Sequence, residues 1–375
     1  MEIYVVQPGD NVDSIAASFG VSVDSILYNN QLVYPYRLAL GQALLLSVGS
    51  PAADRRTVNV GGYAYPFISR YVLEETLPYL SDLLVFSYGF TVDGDLIPPA
   101  LDDSFMIEMA QDFEVAPILT LTPFGPDGMF NNYLITRVVN DMTAQNNLIR
   151  QLVTTVQEKG FQGVDIDFEY ILAQDREAFV AFVGNVRQAI NEIGYTVSVA
   201  LAPKIADDQK GLLYEGKDFA LLGEAADFAL LMTYEWGYTF GPAMAPINKV
   251  REVVDYAITR IPPEKLSLGI PNYGYDWTLP FVRGESKART IGNVEAVQIA
   301  IANNAAIQFD PVAMSPYFHY YLEGRQHEVW FEDVRSLQAK FALVEEYGLR
   351  GMGYWQIMQL FRANWLLLAN TFLIQ

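Results

Sequence analysis

The sequence contains no cysteine, which excludes a disulfide framework, a thiolate nucleophile and a cysteine-ligated metal site. Histidine is also scarce: His319 and His327 are the only two in the chain, so a histidine-rich metal site is not expected. Basic residues are outnumbered, with 24 Lys and Arg against 44 Asp and Glu, and the formal net charge is −20. Binding to a phosphate backbone needs clustered basic residues, so this balance argues against a nucleic-acid partner. We expect no metal and no other cofactor.

Long apolar segments are missing as well. No apolar run reaches the roughly 18–20 residues that a membrane-spanning helix needs, so we expect no membrane partner. The N-terminal residues MEIYVVQPGD lack the basic and apolar regions of a secretory signal, and none is predicted. The 375 residues that are present are 51% hydrophobic and 13% aromatic, which suits one large folded domain and a small one.

Residues 1–48 form a compact predicted unit. EIYVVQ indicates a strand, Asp10 or Asn11 can cap a helix over 12–19, and Gly20 ends that helix. VSVDSILYNN indicates a second helix, and GQALLL indicates a returning strand. This βααβ order, carried by YVVQPGDNVDSIAASFGVSVDSILYNN and LALGQALLL, resembles a LysM module. LysM modules bind N-acetylglucosamine-containing glycans, so the resemblance implies a peptidoglycan or chitin-like partner. A small structural cap on the larger domain is the alternative.

Residues 49–56, GSPAADRR, lack periodicity and are interpreted as a linker. From residue 57 onward, short apolar segments alternate with amphipathic helical segments such as 143–159 and 175–193. This alternation over 57–375 predicts an α/β fold, a (β/α)₈ TIM barrel. An open doubly wound sheet is the alternative, but it gives no reason for eight strands. The predicted strands are 57–66, 83–92, 116–123, 163–170, 195–202, 227–236, 266–275 and 350–357.

The seventh and eighth predicted strands are separated by about 75 residues, which is more than one crossover helix needs. We therefore expect a small α+β insertion between them, over about 277–330. This stretch is rich in aromatic residues, and both histidines fall within it. For the histidines we expect ordinary surface or core positions.

Three carboxylates recur at every second position of the fourth predicted strand, GVDIDFEY. Because a strand alternates its side chains, Asp165, Asp167 and Glu169 share one face and the apolar residues between them share the other. Both faces of a barrel strand are covered, so the acids would point into the barrel. Burying adjacent acids is unfavourable unless they share protons or hydrogen bonds, and such clusters are usually functional. Glu169 would lie nearest the C-terminal mouth, where barrel enzymes do their chemistry.

The same stretch, GVDIDFE, resembles the D-G-x-D-x-D-x-E signature of family 18 glycoside hydrolases, with Gln162 in place of the first acid. In the sixth strand, LLMTYEW resembles the M-x-Y-D element of that family, with Glu235 where aspartate is usual. In the eighth strand, GMGYWQI supplies the matching tryptophan, Trp355. The resemblance covers about 57–370. It implies a chitinase-like barrel that cleaves β-linked N-acetylglucosamine bonds.

The resemblance also implies a retaining, substrate-assisted mechanism. Glu169 would be the acid and base, Asp167 would orient the substrate acetamide, and Asp165 would share a proton with Asp167. Tyr234 would donate its hydroxyl to the acetamide carbonyl, and Trp355 would form an apolar floor beneath the sugar ring. Purely structural roles for Asp165, Tyr234 and Trp355 are the alternatives. Other candidates for lining the cleft are Met232, Glu235, Asn272, Tyr273, Tyr275, Asp276, Tyr63 and Tyr65.

A narrower resemblance is to the spore cortex-lytic N-acetylglucosaminidases of endospore formers. It is carried by the single LysM unit and by GIPNYGYDWTLPFVRGES, FDPVAMSPYFHYY and GRQHEVWFEDVRS. It implies cortex peptidoglycan as the substrate and the spore cortex or coat as the location. A cytoplasmic protein is the alternative for location, and we expect a monomer. A chitinase, an endo-β-N-acetylglucosaminidase and a non-catalytic chitinase-like lectin are the alternative functions, although such lectins have lost the acid that Glu169 supplies.

Overall fold

The N-terminal unit folds as two strands around two helices. The computed structural model describes residues 1–236, 243–282 and 284–375, beginning with β1 Glu2–Val5, α1 Val12–Phe19, α2 Val23–Asn29 and β2 Ala43–Leu46. Asn11 caps α1 by accepting a hydrogen bond from the Ser14 backbone N–H at 2.9 Å, and Gly20 ends it with a left-handed φ of 64°. β1 and β2 pair antiparallel. The predicted βααβ order is confirmed.

Eight parallel strands form the barrel: β3 Thr57–Ala64, β4 Asp82–Phe90, β6 Ala116–Leu121, β7 Gly163–Ile166, β8 Thr196–Leu201, β9 Phe228–Leu231, β10 Leu266–Pro271 and β16 Gly351–Trp355. Each strand pairs with the next, and β3 pairs with both β4 and β16, which closes the sheet. Two short strands pair with barrel strands: β5 Leu96–Ile97 lies antiparallel to β4, and β17 Leu373–Ile374 lies parallel to β3. The predicted (β/α)₈ barrel is confirmed.

A layer of helices surrounds the barrel, and its apolar faces form the main core. Phe168, just after β7, shows the packing: its ring lies 5.7 Å from Phe179 and 5.6 Å from Phe182 between centroids. Among the described residues, no helix combines the length and apolarity needed to cross a bilayer. The helices are α3 Arg70–Thr76, α4 Ser104–Asp112, α5 Asn132–Asn140, α6 Met142–Lys159, α7 Arg176–Glu192, α8 Phe219–Ala225, α9 Ile247–Ala257, α11 Val334–Glu346 and α12 Arg362–Thr371, with 3₁₀ turns at Leu77–Tyr79, Ala173–Asp175 and Pro263–Lys265.

The barrel strands are shorter at their C-terminal ends than the sequence pattern predicts. β7 ends at Ile166, so Asp167 and Glu169 lie in the segment that follows the strand. β10 ends at Pro271, and the chain then enters a different sheet. Hydrogen bonding between neighbouring strands stops where the chain reaches the barrel mouth. The alternation of apolar and polar side chains continues beyond the last paired residue. Periodicity alone therefore overestimates the strand lengths.

The insertion between β10 and β16 is a five-stranded antiparallel sheet with one helix. Its elements are β11 Gly274–Thr278, β12 Arg289–Ile291, α10 Asn293–Ala302, β13 Gln308–Asp310, β14 Ser315–Leu322 and β15 Arg325–Trp330, and the sheet order is β12-β11-β15-β14-β13. A small core of its own includes Ala296, Phe318 and Val329. The insertion therefore begins at β11, a few residues before the predicted start.

The N-terminal unit is docked against both the barrel and the insertion. The Ile307 backbone N–H donates to the Leu40 carbonyl at 2.8 Å, and the Arg362 backbone N–H donates to the Gln31 side chain at 2.7 Å. Leu45 of β2 belongs to the barrel core, whereas its neighbours on either side belong to the core of the N-terminal unit. The run of three leucines in β2 is explained by this double burial.

Candidate active site

Asp165 is the innermost of the three acids and is fully buried within β7. The strand register pairs it with Thr120 of β6 and Ser198 of β8. Its carboxylate accepts hydrogen bonds from the Ser198 hydroxyl at 2.6 Å and the Tyr63 hydroxyl at 2.8 Å. Burial raises the pKa of Asp165, and these two hydrogen bonds lower it. Asp165 is thus held by β3 and β8, and proton sharing with Asp167 stays a prediction.

Asp167 follows the end of β7 and is 8% exposed. Its backbone N–H donates to the Leu121 carbonyl at 2.9 Å, which fixes the residue against β6. The Oδ1 atom is buried and has no hydrogen-bond partner within the described residues. Burial and the negative charges of Glu169 and Asp165 raise the pKa of Asp167 well above its ordinary value. A buried acceptor without a donor is unfavourable unless a ligand supplies the donor.

Glu169 lies two residues further along, partly exposed at the mouth of the barrel. Phe168, between the two acids, packs toward the helix layer, so Asp167 and Glu169 both face the barrel side. Burial raises the pKa of Glu169, and the positive charge of Lys217 lowers it. Two coupled carboxyls with raised pKa values retain a proton between them closer to neutral pH than isolated acids do. The pair therefore has the character of a general acid beside a carboxylate.

Trp355 forms the centre of an aromatic cluster at the C-terminal end of β16. Its ring centroid lies 4.9 Å from Phe86, 5.6 Å from Tyr63 and 6.1 Å from Tyr65. Tyr234 lies nearly parallel to it, at 6.5 Å and an interplanar angle of 18°. Trp355 is partly exposed, so the cluster offers an apolar surface to the mouth. Such a surface suits the C–H face of a sugar ring.

The segment after β9 places three of the predicted residues at the mouth. The Met232 backbone N–H donates to the Leu201 carbonyl at 2.9 Å, which fixes the start of the segment, and the Met232 side chain is half-buried. Burial and the negative charges of Asp167 and Glu235 hold the pKa of Tyr234 well above its ordinary value, so its hydroxyl remains a donor. Glu235 has a left-handed φ of 64°, a strained conformation for a non-glycine residue that is common at functional sites.

Tyr65 borders an open cavity that extends the site away from the acids. Its ring stacks on Phe67 at a centroid distance of 5.1 Å, and Phe67 is 66% exposed. The cavity has a volume of about 510 Å³, and its lining includes Phe86, Leu101 and Phe124. Tyr65 and Phe86 also contact Trp355, so this cavity continues the aromatic surface of the mouth.

The three predicted residues that follow β10 most closely, Asn272, Tyr273 and Tyr275, lie beside Trp355. Asn272 donates from its side chain to the Gln356 carbonyl at 3.1 Å, and its backbone N–H donates to the Trp355 carbonyl at 3.0 Å. It therefore anchors the segment that presents Trp355. Tyr273 and Tyr275 are buried in a second aromatic cluster, which also packs against Trp355. These three residues support the tryptophan from the side of the insertion.

Asp276 lies in β11 of the insertion sheet and not at the end of a barrel strand. Its carboxylate accepts a hydrogen bond from the Tyr320 hydroxyl at 2.7 Å and lies 2.8 Å from Nδ1 of His327. A guanidinium nitrogen of Arg289 lies 3.5 Å from Oδ2 of Asp276. Because its oxygens are engaged within the insertion, Asp276 stands apart from the central acids, and its contact with substrate stays a prediction. The chain beyond Trp236, at 237–242, lies outside the described residues.

Two residues that interact with the acids are not predicted from the sequence. Ser198 holds Asp165, and its position in β8 between two valines follows the same alternation that identified the acids. Lys217 lies in a loop, is 1% exposed, and interacts electrostatically with Asp167 and Glu169. A loop lysine some fifty residues from the acid motif carries no periodicity or motif that would single it out.

Comparison with known proteins agrees with this arrangement. Residues 128–359 match the glycosyl hydrolases family 18 description, and residues 4–47 match the LysM domain. The cortical fragment-lytic enzyme of Bacillus subtilis (strain 168) is 38% identical, with 99% of this chain and 98% of the relative covered.

Two solved structures match over the whole chain. The spore cortex-lytic enzyme SleL of Bacillus megaterium QM B1551 superposes with a TM-score of 0.93 at 32% identity, covering 100% of this chain and 98% of that one. SleL of Bacillus cereus gives 0.91 at 33% identity, covering 100% and 99%. With the family signature placed in a closed barrel and these matches spanning the catalytic region, the chain belongs to glycosyl hydrolase family 18 and carries an N-terminal LysM domain.

Proposed function

We propose that the protein is a family 18 glycosidase that cleaves β-linked N-acetylglucosamine bonds in spore cortex peptidoglycan. The relatives named as cortical fragment-lytic and spore cortex-lytic enzymes align with the chain over its full length, LysM domain and insertion included. The observation that carries the mechanism is the buried Asp167 carboxylate, whose Oδ1 has no donor within the described residues. An acetamide N–H is a donor that would complete it.

In the first step, Glu169 donates its proton to the glycosidic oxygen, and the bond from that oxygen to the anomeric carbon breaks. The carbonyl oxygen of the substrate's own N-acetyl group forms the new bond to the anomeric carbon and gives a cyclic oxazolinium. Asp167 accepts a hydrogen bond from the acetamide N–H and stabilises the positive charge that develops on the oxazolinium. The raised pKa of Glu169, caused by burial, keeps the acid proton available closer to neutral pH.

Tyr234 and Trp355 hold the reacting sugar. The Tyr234 hydroxyl stays protonated because burial and the neighbouring acids disfavour its anion, so it donates toward the acetamide carbonyl. Trp355 lies nearly parallel to the Tyr234 ring and supports the sugar from below. Both residues therefore favour the folded-back acetamide that the first step requires.

In the second step, Glu169, now a carboxylate, takes a proton from water, and the oxygen of that water attacks the anomeric carbon. The oxazolinium ring opens and the acetamide is restored. Two displacements at the same carbon retain its configuration. Glu169 ends protonated, ready for the next cycle.

The LysM domain gives the protein a second contact with glycan. We propose that it anchors the enzyme on the cortex while the barrel cleaves, that the protein acts at the spore cortex or coat, and that it does so as a monomer. The docked position of the domain, with the Leu40 carbonyl bonded to Ile307, supports a fixed spacing between anchor and active site.

Replacement of the acid tests the mechanism. Glu169→Gln should lower kcat on purified cortex fragments by roughly 10²–10⁴-fold, which is the usual contribution of a general acid, with sugar binding nearly intact. Glu177→Gln, on the exposed first turn of α7, is a matched control that should retain activity. Mass analysis of the products identifies the bond cleaved. Wild-type turnover by the Glu169 variant would refute the assignment, and cleavage of chitin oligomers with none of cortex would indicate a chitinase.

A further inference from the structure

Lys217 is a buried cation that the mechanism above does not use. The residue is 1% exposed, and its Nζ donates to the Ala200 carbonyl at 3.1 Å. A lysine is rarely buried without partners, because removing an ammonium from water is costly. One neutral carbonyl does not account for such a position. No ion pair within 4 Å involves Lys217 in the part of the chain that is described.

The register of the barrel places this ammonium beside the acids. β7 and β8 are parallel neighbours, and their last pair is Ile166 and Val199, so Asp167 and Ala200 each follow directly after this pair. Adjacent strands are about 4.8 Å apart at such a pair, so the Ala200 carbonyl that holds the ammonium lies near the start of the acidic segment. The loop is fixed against the acidic segment as well: a Cβ on Gly216 would lie 2.3 Å from the Ile171 carbonyl oxygen, two residues after Glu169.

Apart from Lys204, the other titratable groups around this point are acids and phenols. Asp165 lies on the same segment as Asp167 and Glu169. Tyr234 and Glu235 follow β9, and Tyr63 lies on β3. Lys204, the second buried lysine of the region, donates to the Lys217 carbonyl at 3.0 Å. Its charge interacts with Asp207 and Asp218 instead of the catalytic pair. Lys217 is therefore placed to balance negative charge at the site, and Lys204 is not.

We propose that Lys217 is a positioning residue of the hydrolase, whose buried ammonium balances the negative charge of Asp167 beside Glu169 so that Asp167 can stabilise the developing oxazolinium. This inference rests on the proposed roles of Asp167 and Glu169. Burial and mutual repulsion disfavour a carboxylate at Asp167, and the nearby cation opposes both. With the cation removed, Asp167 takes up a proton at higher pH and loses its negative charge. Burial in turn lowers the pKa of Lys217 to about 8, and the two acids oppose that shift.

The pH dependence of kcat/KM on a soluble N-acetylglucosamine oligomer tests this inference. Lys217→Met should move the acidic limb of the profile to higher pH, so that activity falls about tenfold at pH 5 and progressively less toward pH 7. Lys204→Met removes the neighbouring buried lysine and should lower Tm without moving the limb. A purely structural role of Lys217 predicts the same fractional loss at every pH, and that result would overturn the proposal.

The absence of cysteine from the chain allows the charge to be put back chemically. Lys217→Cys introduces a single thiol, and aminoethylation of the unfolded protein before refolding restores an ammonium at that position alone. The modified variant should regain the wild-type acidic limb, and the unmodified one should resemble Lys217→Met. Failure of the ammonium to restore the limb in a folded protein would count against the proposal. Glu169→Gln separates the two hypotheses: if it is inactive while Lys217→Met keeps the wild-type limb, only the lysine inference is wrong.

Discussion

Asp167 is 8% exposed, and burial together with Glu169 and Asp165 raises its pKa well above the ordinary value. An aspartate in the unfolded chain titrates near pH 4, so above that pH the folded protein binds more protons at this site than the unfolded one. Stability therefore falls as pH rises from about 4 through the folded pKa. Asp167, which the proposed mechanism requires as a carboxylate, is in this sense destabilising, and a neutral asparagine at the same position should not be.

Asp167→Asn should accordingly raise Tm, by roughly 1–4 °C at pH 7–8, because Glu169 remains to balance the Lys217 ammonium. Hydrolysis should be lost. The gain should shrink as pH falls and approach zero below about pH 4, where the wild-type acid is neutral in both states. Thermal unfolding of both proteins across pH 4–8 measures this. Asp208→Asn, at an exposed position, is the control and should show no such trend. A Tm of the Asp167 variant at or below that of the wild type at pH 7 would show that the buried Asp167 carboxylate is not destabilising.

At the same scale, the sequence predicted the acids well because alternation is a local property. Asp165, Asp167 and Glu169 do face the barrel, and Phe168 does face the helices, although the strand itself stops at Ile166. The position of Trp355 at the end of the eighth barrel strand is predicted by a motif. The partners of Asp165 and the buried Lys217 depend on which strands and loops become neighbours. Contacts between distant parts of the chain cannot be predicted from the sequence pattern of any one segment.

Among the elements, the order of strands and helices was predictable, and their ends were not. The barrel was identified by eight repeats of one pattern, which tolerates errors of a few residues in each strand. Asp276 shows the limit: the apolar pattern continues past Pro271, so the sequence predicts a seventh strand over 266–275 and places Asp276 near its end, as a residue that lines the cleft. It belongs to β11, where Tyr320 and His327 engage its carboxylate. Only the change of pairing partner, from parallel to antiparallel, marks the boundary.

The docking of the LysM domain depends on a close approach at Gly41. The residue has a φ of 78°, and a Cβ there would lie 1.9 Å from the Ile307 carbonyl oxygen. Gly41→Ala should therefore break the adjacent Leu40–Ile307 hydrogen bond and lower the free energy of unfolding by about 2–4 kcal/mol. Gly20→Ala is the matched control, because its φ of 64° imposes similar strain with no atom within 4 Å. It should reduce stability by about 1 kcal/mol.

Denaturant unfolding gives both free energies, and limited proteolysis within residues 49–56 reports undocking. Faster cleavage of the Gly41 variant, with barrel activity on a soluble oligomer retained, is the expected outcome. Equal losses of stability in the two variants would mean that contact with the insertion contributes little. The LysM domain would then act as a tethered module and not as a fixed part of the molecule.

At the scale of the whole molecule, the formal net charge of −20 opposes approach to a wall polymer that itself carries peptide carboxylates. Salt screens this repulsion, since the Debye length falls from about 30 Å at 0.01 M to about 8 Å at 0.15 M. Binding to insoluble peptidoglycan should therefore strengthen severalfold over that range, whereas kcat/KM on a neutral N-acetylglucosamine oligomer should change less than about twofold. Cosedimentation at graded ionic strength, beside the soluble assay, measures both. Binding that weakens with salt would show that local basic groups, and not the overall negative charge, govern the binding of the enzyme to peptidoglycan.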